Sequence, residues 1–160
     1  MRKSKTICAT NFKQKCLNDK LDGLIQDLVW GGRWDRAAAC EAAEGVLKAM
    51  FPDENYLYHN HSMSHIQFRK AELAASAGHN DEALERLRDA MYHAEEYDRM
   101  DTGCPGVYTY TAPLFQGQTI DSRQWCHSGT GTLADDIRSM SHRDVFNGLR
   151  DLPSFQEIFK

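Results

Sequence analysis

A chain of 160 residues with 41% hydrophobic and 26% charged side chains has the composition of one globular domain, long enough to bury a core without disulfide or metal support. Its formal net charge of -4 argues against a general nucleic-acid surface, which needs a basic face to displace counterions. No apolar run approaches the roughly 20 residues that span a bilayer, and no hydrophobic signal core opens the chain, so a cytoplasmic protein is expected.

Residues 1–17 read as a basic flexible lead-in and 18–160 as one helical domain. In the opening stretch Arg2, Lys3, Lys5, Lys13, Lys15 and Lys20 oppose only Asp19, which suits a solvated tail, with a nucleic-acid arm as the alternative. After a cap at Asn18 or Asp19, Leu21, Leu24, Ile25 and Leu28 recur at helical spacing, and Trp30-Gly31-Gly32 ends that helix. A second helix is expected from about Trp34 to Met50, its alanines letting two axes approach closely and filling the gap left by larger neighbours such as Trp34. Phe51-Pro52-Asp53 breaks it, because proline lacks the amide donor a continuing helix needs.

A third helix is expected from about Tyr56 to Ala77, closed by Gly78, and a fourth from Asn80 or Asp81 to about Tyr97. The fourth should bury Ala83, Leu84, Leu87, Ala90, Met91 and Ala94. The two joints Gly32-Arg33-Trp34-Asp35-Arg36-Ala37 and Gly78-His79-Asn80-Asp81-Glu82-Ala83 each open an alanine-rich helix. They lie 46 positions apart, further than the spacing of about 34 residues of tetratricopeptide repeats, so the repeat is degenerate. From Met100 to about Gly131 the chain should wrap the helices as a long loop; Leu133 to Met140 reads as a short helix. Val145, Phe146, Leu149, Phe155, Ile158 and Phe159 should cap the open end of the stack. The expected fold is therefore all-α: a tetratricopeptide-like stack of antiparallel helix pairs with a wrapping loop and a C-terminal capping helix.

These pieces resemble the tetratricopeptide-like C-terminal region of bacterial XRE-family transcriptional regulators. The resemblance rests on Phe51-Pro52-Asp53, Ala71-Glu72-Leu73-Ala74, Gly78 with Asp81-Glu82-Ala83-Leu84, and Ala90 with Ala94. Tyr110-Thr111-Ala112-Pro113-Leu114-Phe115 and the closing segment from Phe146 through Leu149, Arg150 and Phe155 to Ile158 extend it over about residues 21–159. It implies a regulatory, protein-interacting or ligand-sensing domain that normally modulates an attached helix-turn-helix head. The lead-in is too short for that head, so direct DNA binding is not expected and either a stand-alone or a truncated relative is.

Among residues with chemistry to offer, His61 and His65 stand four apart on one helix face, a spacing zinc uses when further ligands are at hand. His59 points elsewhere, and Cys40, His93, Cys104 or Cys126 would complete a site only through tertiary contact. Cys8, Cys16, Cys40, Cys104 and Cys126 form no C-x-x-C pair and are expected as free thiols. No Gly-x-Ser-x-Gly elbow occurs. Ser128-Gly129-Thr130-Gly131 lacks the ending of a phosphate loop, and Cys126-His127 are sequence neighbours that do not face each other as a thiol–base pair. Asp135-Asp136 suits a helix start. Tyr56 joins the set Tyr58, His61, His65, Arg69, Tyr92, His93 and Tyr97, which combines aromatic faces with hydrogen-bonding ends on adjacent helices. That set is the expected groove for a peptide, protein or small effector. The expectation is thus a non-enzymatic module without a cofactor, as monomer or homodimer, with a metal-dependent enzyme or metal-binding protein centred on His61 and His65 as the alternative.

Overall fold

The computed structural model describes residues 19–125 and 131–160. The basic lead-in with Cys8 and Cys16, and the expectations for Cys126-His127 and Ser128-Gly129-Thr130, lie outside those residues. The described chain is mostly helical, with α1 over 19–30, α2 Arg36–Met50, α3 Asn60–Ser76, α4 Asn80–Asp98, α5 Leu133–Met140 and α6 Pro153–Ile158. None of its helices is long and apolar enough to cross a membrane.

Glycine sets both joints. Gly78, at φ 79°, follows the C-cap Ala77, and its amide donates to the Ala75 carbonyl while the His79 amide donates to Ala74. This double bond pattern closes a helix through one left-handed residue, which only glycine adopts without a Cβ penalty. At the other joint Gly32 is left-handed, at φ 67°. Gly31 serves a different need: a Cβ there would stand 2.3 Å from the Asp27 carbonyl oxygen.

The α2 start differs from expectation. Asp35 is the N-cap, its carboxylate accepting the Ala38 amide at 2.8 Å, so Trp34 falls outside the helix and is 58% exposed. Ala37 and Ala38 also face out; the buried side is Ala39, Cys40, Ala43, Glu44 and Leu47. The Asp35 carboxylate can accept an orphan amide of the first turn, which a tryptophan side chain cannot, so the helix opens after Asp35.

Helices α3 and α4 form an antiparallel pair, as His93 meets Asn60, the Ala90 carbonyl accepts from the Ser64 hydroxyl, and Arg86 meets Gln67. All six alanine, leucine and methionine positions expected on the inner face of α4 are buried. The pair, with α5 and α6, encloses one apolar cluster centred on Phe68, Leu87, Ile137, Phe146 and Phe155. A second cluster lies between α1, α2, α3 and the long connection. There Phe51 stacks on Phe115, centroids 5.0 Å apart and rings 11° from parallel, and on Tyr110 at 5.6 Å.

The long connection is more ordered than a loop. Val107–Thr109 and Thr119–Asp121 pair as an antiparallel hairpin, β1 and β2, with Tyr108 opposite Ile120. Its inner turn sends Tyr110, Ala112 and Phe115 into the second cluster. Thr111 then donates to the Asp53 carboxylate and accepts from Asn55 at 2.8 Å, tying this turn to the break after α2. The C-terminal helices close the other end. Thr132 and Asp135 form a reciprocal capping box, and the Asp98 carboxylate at the end of α4 accepts the Leu133 and Ala134 amides, both at 2.9 Å.

Candidate functional site

Helix α3 separates the expected groove residues into two groups. His61, His65 and Arg69 recur every fourth position on one flank, where His65 and Arg69 meet Trp30 of α1. Tyr58 packs against His61, Tyr97 and Trp125 on the same side. The rings of His61 and His65 lie edge to face with centroids 4.6 Å apart, His65 meets Trp30 at 5.4 Å, and the Arg69 guanidinium sits 3.9 Å above the Trp30 ring. Tyr97 stacks on Trp125 at 4.8 Å. These are packed rings rather than an open space.

Burial governs the histidines on this flank. Desolvation holds His65 down to about 3, helped by His61 and Arg69 nearby, and it lowers His61 against the opposing pull of Asp22 and Asp136. Both Nδ1 atoms are buried without a hydrogen-bond partner among the described residues. Among the described residues no three histidine, cysteine, aspartate or glutamate side chains are placed to hold a metal ion. Cys40 is buried and Cys104 is exposed, both as free thiols.

Tyr92 and His93 lie on the other flank, at a cavity of about 320 Å³ between α2, the 54–57 segment, α3 and α4. Helix α4 presents Asp89, Tyr92, His93 and Glu96 to it at positions i, i+3, i+4 and i+7, one helical face. Glu44 and Lys48 come from α2, Asn60 and Gln67 from α3.

A chain of hydrogen bonds fixes His93. Asn60 donates through Nδ2 to the Leu57 carbonyl at 3.0 Å, so its Oδ1 is the free acceptor, and that atom is 2.8 Å from His93 Nδ1. Nδ1 therefore carries the proton, and Nε2 is left with a lone pair. Desolvation pushes His93 down to about 4, past the opposing pull of Glu44 and Glu96, so the ring is a neutral acceptor at pH 7. The carbonyl at the head of this chain belongs to Leu57, whose φ is 45°; Glu54, also on the wall, has φ 59°. Two left-handed non-glycine residues within four positions cost of order 1–3 kcal/mol each and are held by surrounding packing.

Glu44 is the wall residue that sequence reasoning passed over. It is nearly fully buried on α2, yet it accepts from Lys48 at 2.6 Å, from Lys70 and from Gln67 at 3.2 Å. Burial alone would raise this carboxyl; the bonds from Lys48 and Lys70 outweigh it and hold it at about 2. The i, i+4 spacing of Glu44 and Lys48 was the only trace in the sequence, and such pairs are ordinarily solvated.

No protein-family model, curated protein or solved structure matches this chain.

Proposed function

We propose that this domain is a non-enzymatic interaction module that holds a peptide or small effector in the cavity between α2, α3 and α4. The observation that carries the reading is that cavity: about 320 Å³, lined by side chains of both charges and by Tyr92 and His93, with its acceptor geometry set by the Asn60–His93 relay. Pockets of this size with a few oriented polar groups are the usual form of a ligand site. The left-handed backbone at Glu54 and Leu57 supports it, since strain concentrates where a segment presents groups to a ligand.

The antiparallel α3–α4 pair and the flanking α2 favour a tetratricopeptide-like stack, and the resemblance to the C-terminal region of XRE-family regulators favours a role in transcriptional control, as monomer or homodimer. Thermal melting of the full chain against a defined collection of metabolites and short peptides tests this. A saturable rise in melting temperature that Tyr92→Ala abolishes is expected. No rise with any compound, alongside catalytic turnover of one, would reject it.

A further inference from the structure

The hydrogen-bond balance of the cavity specifies its ligand. Each of its amide and basic side chains has at least one acceptor, with Arg86 Nε left as a buried donor without a partner among the described residues. Lys48 is bonded to Glu44, Arg99 to both oxygens of Glu96, and Arg86 to Gln67 at 3.3 Å. Asn55 is bonded to Thr111, Asn60 to the Leu57 carbonyl, and Gln67 to Glu44. The acceptors are not matched in the same way. Among the described residues no hydrogen bond reaches the Glu54 or Asp89 carboxylates or His93 Nε2, and the nearest cation to Asp89 is Arg86 at 3.9 Å. Tyr92 adds a ring that is 60% exposed at the same wall.

Resting on the reading of this cavity as a ligand site, we propose that it takes an alkylammonium group, whose N–H donors are received by Asp89 and His93 Nε2 with Tyr92 alongside. An ammonium brings three donors to these unpaired acceptors, and its charge is favoured by a carboxylate and by an aromatic face. A carboxylate ligand would stand against the unpaired carboxylates of Glu54 and Asp89, with Arg86 Nε as the one buried donor open to it among the described residues. The shared chemistry has two sources, a free amine or the side chain of lysine in a peptide, and two arms of one experiment separate them.

The test is a titration of the isotopically labelled full chain, following the signals of Asp89, Tyr92 and His93. The probes are n-butylamine and a capped Gly-Lys-Gly peptide, with 1-butanol and butyrate as isosteres. Saturable shifts at these three residues with one or both amines, and none with the isosteres, are expected. Stronger response to the amine or to the peptide names the source. Asp89→Asn, a change at a half-exposed side chain, should weaken amine affinity at least tenfold with an unchanged near-ultraviolet circular dichroism spectrum. Binding of butyrate or butanol as tight as the amine would overturn the ammonium assignment and leave the cavity as a ligand site. No amine binding also overturns it. If no compound in the melting screen maps to the cavity either, the broader reading falls as well.

Discussion

Acidification from pH 7 to pH 5 should remove much of the stability of this domain, and histidines rather than carboxylates should be responsible. His59 is fully buried with neither ring nitrogen hydrogen-bonded among the described residues, and burial pushes it down to about 4. His65 is lowered to about 3 and His93 to about 4, also chiefly by desolvation. In the unfolded chain each titrates near its ordinary value of about 6.5. Below that pH the unfolded state binds protons that the folded state refuses, so stability falls as pH falls from about 6.5 toward the folded values. At pH 5 each group contributes a loss of about 2 kcal/mol, and the three together about 5 kcal/mol after a discount for the partial exposure of His65 and His93. That is comparable with the whole stability of an ordinary domain, about 5–15 kcal/mol. Glu44, held at about 2, stays ionised throughout this window and contributes little to the change. Urea denaturation at pH 7, 6 and 5, followed by circular dichroism, measures the slope. His59→Leu should flatten it by about 2 kcal/mol between pH 7 and 5 at no hydrogen-bonding cost, because neither ring nitrogen has a partner to lose. A stability that is level across this range, or a His59→Leu variant with the parent's slope, would refute the account.

Three further outcomes follow from particular contacts. Gly78→Ala forces a Cβ into φ 79° and should cost about 1 kcal/mol, read as a lowered melting temperature with the fold retained. Glu44→Ala leaves Lys70 mostly buried with only Glu41 as a carboxylate partner and should cost about 3 kcal/mol in urea denaturation, more than a surface ion pair is worth. Long-range nitrogen-correlated NMR at pH 7 should find His93 as the neutral Nδ1–H tautomer; a proton on Nε2 would break the relay from Leu57 through Asn60.

The helices were legible where periodicity and glycine punctuation agree. The α4 inner face from Ala83 to Ala94, the Gly78 closure and the Leu133–Met140 helix all stand where spacing and caps put them. Trp34 misled because its size suggests burial, whereas the free carboxylate of Asp35 took the cap and left the indole outside. The hairpin was missed because three-residue strands leave little room for an alternating pattern, though Gly117, at φ 78° beyond Phe115, marked a turn. The candidate site was legible only in its residue types. Helical spacing names the aromatic and histidine set, but which flank of α3 each member joins depends on α1 and α4 together. That is why Tyr92 and His93 reach the cavity while Tyr58, His61, His65, Arg69 and Tyr97 pack into rings across α3. Buried Glu44 was hidden because its cationic partner Lys70 stands 26 positions away on another helix.

Asp98 stands where α4 passes into a π-helical turn over Arg99–Gly103, a carboxylate carried on the helix without a cation bonded to it among the described residues. It is compensated by the amides that open α5, 35 and 36 positions later in the chain. A carboxylate carried by the tail of one helix thus serves as the counterion for the head of another. Melting of the C-terminal part would leave that carboxylate without the amides it caps, so α5 is expected to unfold together with the end of α4 rather than ahead of it.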